Sequence, residues 1–123
     1  MARILIIDDE ELARYAVRKI LTGAGHDVTE AENGSNGLEL QRKTPFDLVI
    51  TDIVMPEKEG IETIMDLKKE FPDTPIVAIS GGGRLGPTDY LNMSSQLGAR
   101  QTLAKPFSRD DLLSAVDTCL AAA

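Results

Sequence analysis

Apolar runs of strand length alternate along this chain with segments of helical period. Arg3-Ile4-Leu5-Ile6-Ile7 is a continuous apolar run that stops on Asp8-Asp9, the pattern of a strand buried on both faces. Leu12, Tyr15, Ala16, Lys19 and Ile20 then recur at helical spacing, with Gly23 and Gly25 as the stop. A second strand is predicted over 27–31 and a helix over 38–43, ahead of Pro45. Residues 47–51 form a third apolar run leading into Asp52. Ile61, Ile64, Met65 and Lys68 trace another helix, closed by Phe71-Pro72. The fourth strand, 75–79, leads to Ser80, and the glycines at 81, 82, 83 and 86 precede a helix predicted over about 88–97. A fifth strand covers 100–104. Ser108 caps a last helix that carries Leu112, Leu113, Val116, Cys119 and Leu120 on one side.

Five consecutive strand–helix units predict an α/β fold, a parallel sheet with helices on both faces. Right-handed crossovers and two-sided coverage need a reversal in strand order, and the flavodoxin-like order 2-1-3-4-5 suits this size. In such sheets the site lies at the carboxyl ends of the strands beside the reversal, between the first and third strands.

The 123 residues suit one domain spanning 1–123, with no output domain expected in the chain. A hydrophobic share of 42% can build a core without disulfides or a structural metal. The single cysteine, Cys119, continues the apolar face of the last helix, excludes an internal disulfide and fits a reducing, cytoplasmic compartment. No apolar run approaches the roughly 20 residues of a membrane span, and the short apolar run near the N-terminus ends in acids, unlike a secretory signal. The formal charge of −7, from 20 acids against 13 bases, opposes direct nucleic-acid binding. His26, in a glycine-flanked turn, is expected to face solvent, and Tyr15 and Tyr90 to be half-buried helix residues.

The acids matter by position. The first strand ends on Asp8 and Asp9 and the third on Asp52, so the topology brings three carboxylates to one switch point. Two such charges about 4 Å apart, at an effective dielectric near 20, repel by roughly 4 kcal/mol. The cluster calls for a cation, and oxygen-only ligands favour Mg2+ or Mn2+ over zinc. The fourth strand delivers a hydroxyl, Ser80, and the fifth an ammonium, Lys105. A carboxylate nucleophile receiving a phosphoryl group by an in-line path needs little more. Each residue alone has an ordinary reading: an acidic first helical turn, a turn aspartate, a loop serine, a solvated lysine. The right residue type at four separate strand ends is far less expected by chance.

These residues resemble the two-component response regulator receiver domain, and the chain is similar to the single-domain chemotaxis regulators. The marks are Ile7-Asp8-Asp9, Asp52-Ile53-Val54-Met55-Pro56 with Gly60 following, Ser80 after an apolar strand, Leu97-Gly98-Ala99, and Lys105-Pro106-Phe107, which together cover the chain from Arg3 to Leu120. The resemblance implies Asp52 as phosphoacceptor and Asp9 as direct metal ligand beside it. It implies that Asp8 acts through a metal-bound water, with the backbone carbonyl of Val54 as a further ligand. Ser80 and Lys105 would bind phosphoryl oxygens, and Pro56, Gly60 and Pro106 would be structural, the last after a cis bond. The implied donor is a histidine kinase or histidine phosphotransfer protein. The implied activity is a Mg-dependent signalling switch rather than a conventional enzyme.

Three departures from the family pattern stand out. Thr102 occupies the position, three before the lysine, where the family often places an aromatic switch residue. The segment between Ser80 and Lys105 is longer than usual through its glycine stretch, and Glu59 replaces the usual Asp before Gly60. Because Thr102 is small and the glycines permit positive φ, switching is expected to run through Ser80, the 81–86 stretch and the following helix. The expected output surface combines the predicted fourth helix, the fifth strand and the last helix. The main alternative is a receiver-fold docking module that works without phosphorylation. A flavin or nucleotide binder is opposed by the charge of Asp8-Asp9-Glu10-Glu11, and an aspartyl phosphatase by Val54, which stands where a second acid would be needed.

Overall fold

The computed structural model describes residues 2–53, 59–80 and 98–121. The five predicted strands become β1 (Arg3–Ile7), β2 (Asp27–Ala31), β3 (Leu48–Asp52), β4 (Ile76–Ser80) and β5 (Gln101–Ala104). They form one sheet in the order β2-β1-β3-β4-β5, parallel throughout, with the reversal between β1 and β3. This is the α/β architecture and strand order expected from the pattern. The described helices are α1 (Glu11–Gly23), α2 (Gly34–Lys43), α3 (Glu59–Glu70) and α4 (Arg109–Ala121). The helix expected over 88–97 and the glycine stretch before it lie outside the described residues.

Alternation of side chains along each strand divides the interior into two cores. Ile4, Ile6, Ile50 and Val77 point to the face covered by α1 and α4, meeting Val17, Leu21, Leu112 and Val116. Leu5, Ile7, Val49 and Ile76 point to the other face, against Leu38, Ile64 and Leu67 from α2 and α3. The central strands are buried on both sides, which is why they read as uninterrupted apolar runs.

Helix ends are set by local side chains. The Asn33 side chain accepts from the Asn36 amide at 2.8 Å, so α2 begins at Gly34, four residues before the apolar pattern suggested. Ser108 and Asp111 cap reciprocally: the Asp111 amide donates to Ser108 Oγ at 3.0 Å, and the Ser108 amide donates to Asp111 Oδ2 at 3.2 Å. Cys119 is a buried free thiol on the inner face of α4, as its spacing indicated.

Three sequence expectations are corrected. The inward face of α1 is Val17 and Leu21 with Ile20, while Leu12 is 82% exposed and Tyr15 also faces solvent. The period was right and the phase was not, because the sheet meets the helix one residue further round. On α3, Ile64 is buried as its spacing indicates, but Met65 is exposed, and Thr63 and Leu67 are buried beside Ile64 instead. His26 is half-buried, and its Nδ1 accepts from the Ala2 amide at 3.2 Å, tying the start of the chain to the turn before β2.

The reciprocal cap on α4 should be measurable. Ser108→Ala is expected to lower unfolding free energy by about 1 kcal/mol in urea titrations. Ser108→Ala combined with Asp111→Ala should cost less than the sum of the single changes, because the two side chains serve one helix end.

Candidate functional site

Four strand exits meet at the carboxyl edge of the sheet. Asp8 follows the last residue of β1, Asp52 ends β3, Ser80 ends β4 and Lys105 follows β5. Backbone bonds carry the ladder one step past the strands. The Asp8 amide donates to Ala31 O at 3.1 Å, the Ile53 amide to Ile79 O at 3.0 Å, and the Lys105 amide to Ser80 O at 2.8 Å. The side chains at these exits are therefore held by the sheet itself.

Lys105 joins the two buried acids. Its Nζ donates to Asp52 Oδ2 at 3.2 Å and lies 3.9 Å from Asp8 Oδ2. Asp8 is 6% exposed and Asp52 5%. Burial lifts the Asp8 carboxyl to about 6, the Asp52 and Asp9 charges push the same way, and the Glu10 amide at 2.9 Å and Lys105 only partly offset them. Burial also works against the charge on Lys105, but Asp52 and Asp8 outweigh it and hold the ammonium above its ordinary range. The fully buried Ser80 Oγ finds no hydrogen-bond partner among the described residues. A hydroxyl left so costs about 1–3 kcal/mol unless something outside the fold meets it.

The remaining expected residues fall around this pocket. Gly60, in the first turn of α3, has no room for a side chain: a Cβ would sit 2.4 Å from Ile53 Cα and 2.6 Å from Asp52 O. Only glycine lets α3 pack against the backbone leaving Asp52. The Lys105-Pro106 bond is cis, as the resemblance implied. Thr102 is half-buried on β5, paired in register with Ala78, two residues before the end of β4. Val54 and Pro56 lie outside the described residues.

The expected convergence of three carboxylates holds for two. Asp9 lies on a bend at the solvent edge, and among the described residues no three acidic, histidine or cysteine side chains are grouped closely enough to hold a metal ion. A third charge brought against Asp8 and Asp52 would add repulsion of several kcal/mol, whereas in solvent it is screened. The donor chemistry nonetheless fits a hard cation. Two buried carboxylates face one ammonium, and Asp9 adjoins them on the solvent side.

Two features escaped the sequence reading. Arg14 of α1 donates from Nη1 to the Asp8 carbonyl oxygen at 2.7 Å; a lone arginine on a solvated helix carries no signal of that contact. A groove of about 450 Å³ opens beside Asp8 and Lys105, walled by Ala13, Ala16 and Ile20 of α1 and by Pro106 and Phe107. Ala16 and Ile20 were visible as helical apolar positions, but the opposing wall comes from a distant segment.

The raised Asp8 carboxyl has a defined pH signature. Native Asp8 holds its proton more tightly than in the unfolded chain, where the value is 3.8. Its contribution to stability is therefore full below about pH 4 and lost as pH rises through about 6. At roughly 1.4 kcal/mol for each pH unit separating the two values, the ionised form costs about 3 kcal/mol at neutral pH. In chelator-containing buffer Asp8→Asn should be more stable than wild type by about 1–3 kcal/mol near pH 7.5. The gap should shrink toward zero below about pH 5, as followed by urea unfolding.

Comparison with known proteins agrees with this geometry. The sequence family described as the response regulator receiver domain matches residues 4–117. Protein PilH of Pseudomonas aeruginosa is 36% identical over 121 residues, covering 98% of this chain and 99% of its own. The chemotaxis protein CheY of Bacillus subtilis is 34% identical over 119 residues, covering 96% and 97%. Among solved structures, a response regulator receiver domain protein from Clostridium thermocellum superposes with a TM-score of 0.90 at 28% identity, covering 99% of this chain and 96% of that one. Similarity over nearly the full length of single-domain relatives, with the same strand order, places the chain among receiver domains rather than in a conventional enzyme family. The chain belongs to the response regulator receiver domain family, the receiver module of two-component signalling.

Proposed function

We propose that Asp52 accepts a phosphoryl group from a phosphohistidine on a histidine kinase or histidine phosphotransfer protein, in the cytoplasm. The observation that carries this reading is the 3.2 Å contact of Lys105 with a 5%-exposed Asp52, beside a buried Ser80 hydroxyl that has no partner among the described residues. An Asp52 oxygen attacks phosphorus in line, the phosphorus–nitrogen bond to the donor breaks, and the electron pair leaves with the imidazole. Asp9 and Asp52, with Asp8 through a water and the Val54 carbonyl as the resemblance implies, would hold Mg2+ or Mn2+, which would supply positive charge for the phosphoryl oxygens. Lys105 follows the charge from the carboxylate to a phosphoryl oxygen, and Ser80 Oγ gains a strong acceptor where it has none among the described residues. The apolar groove beside Asp8 and Lys105 offers footing for the donor protein.

The response is proposed to pass from Ser80 to partner binding through the chain that follows β4 and through β5 and α4. Thr102, without the bulk of an aromatic ring, leaves most of that motion to Ser80 and its neighbours. The net charge of −7 argues against nucleic acid as the direct target, and among the described residues no helix is long and apolar enough to cross a membrane.

A small phosphodonor such as acetyl phosphate with Mg2+ should add one labile phosphoryl group to the wild type and none to Asp52→Asn, by intact mass. Equal labelling of both would reject Asp52, and no labelling of either would favour the phosphorylation-independent docking module. Thermal melts should show Mg2+ stabilising the wild type, since a ligand of the native state alone shifts unfolding by mass action. Most of that shift should vanish in Asp9→Ala.

A further inference from the structure

Arg14 reaches back from the first turns of α1 to the acidic turn. Nη1 donates to the Asp8 carbonyl oxygen at 2.7 Å, and Nε donates to Glu30 Oε1 at 3.2 Å. Glu30 lies on β2, in register with Ile6 of β1, so the guanidinium is anchored to the sheet as well as to its own helix. The other Glu30 oxygen takes Arg18 Nε at 3.3 Å. Arg14 is the better sheltered of the two arginines, with 15% of its side chain exposed against 43% for Arg18.

With this contact every polar group of Asp8 is engaged. Its amide donates to Ala31 O, Oδ1 accepts from the Glu10 amide, Oδ2 faces Lys105, and the carbonyl accepts from Arg14. That carbonyl belongs to the peptide joining Asp8 to Asp9. The peptide is planar, so whatever fixes the carbonyl direction also fixes the direction in which Asp9 leaves. We infer that Arg14 is a positioning residue that orients the Asp8–Asp9 peptide and so sets Asp9 for cation binding. The inference rests on the cation site proposed above. Arg14 touches neither cation nor phosphoryl group; it acts through the backbone of its neighbour.

Charge alone predicts the opposite effect. A guanidinium near a cation site opposes the cation, so by Coulomb's law its removal strengthens metal binding. A positioning role makes its removal weaken binding, commonly by 10-fold to 100-fold for groups that hold metal ligands in place. Arg18 provides the control, because it shares the helix, the charge and the Glu30 partner, while its guanidinium otherwise lies over the Tyr15 ring rather than against the acidic turn.

Mn2+ affinity, read from the electron paramagnetic resonance of the free ion, tests the inference. Arg14→Ala is expected to bind Mn2+ roughly tenfold more weakly than wild type, while Arg18→Ala binds at least as tightly, with thermal melts reporting folding. Equal or tighter binding by Arg14→Ala overturns the inference, as does an equal loss in Arg18→Ala. Glu30→Gln removes the charge that pairs Arg14 to β2 without altering α1, so it weakens the anchor and is expected to give a smaller loss. Should Arg14→Ala fail to fold, unchanged affinity in Glu30→Gln overturns the inference. Wild type and Asp9→Ala binding Mn2+ alike would remove the cation site and this inference together. A loss in Asp9→Ala with none in Arg14→Ala removes the inference alone.

Discussion

Two buried carboxylates and one ammonium set the terms on which the carboxyl edge of this sheet is built. Asp8 and Asp52 sit at the exits of adjacent strands, both more than nine-tenths buried, and each faces Lys105. In a medium of low polarisability such charges lose hydration that their mutual interactions only partly restore. The Asp8 carboxyl carries the imbalance as a value raised to about 6. The pocket thus keeps buried charge that is only partly compensated, at a cost in stability. Sites that bind and react often hold such unfavourable electrostatics.

The sheet keeps these groups in place against that repulsion. Strands β1, β3 and β4 are buried on both faces, so their register is strongly determined, and the residues at their exits inherit that order. Backbone bonds beyond the strands extend it to Asp8, Ile53 and Lys105. Gly60 lets α3 lie directly against the backbone next to Asp52. Arg14 and Glu30 tie the first acidic turn to β2 on the other side. Asp52, Lys105 and Ser80 are therefore fixed by long-range pairing, while Asp9, of the three expected carboxylates, remains at the solvent edge.

Much of this was open to a reader of the sequence because of how a doubly covered parallel sheet is made. Its central strands, β1, β3 and β4, are largely continuous apolar runs, so the residue that ends each run is conspicuous. Asp8-Asp9, Asp52, Ser80 and Lys105 could be assigned to one edge before any contact was known. Ser108 could be read as a cap because its partner, Asp111, is three residues away. Asn33 carries no comparable signal, because the apolar pattern of α2 starts only at Leu38, after a first turn rich in glycine and polar residues.

By itself the sequence determined the strands, their order and the residue types that meet at the carboxyl edge, because these depend on local runs and on chain connectivity. The tertiary structure decided which side of each element does the work. Leu12 and Val17 are both apolar positions on α1, and only the packing of the helix on the sheet leaves the first in water and the second in the core. Asp8 and Asp9 are chemically alike, and only the bend after β1 buries one and exposes the other. Arg14 is one arginine among several, and only the path of α1 past β2 sets it against the Asp8 carbonyl. Helix phase, turn direction and contacts between distant segments depend on the relative placement of whole elements, and that placement is fixed only when the two cores close.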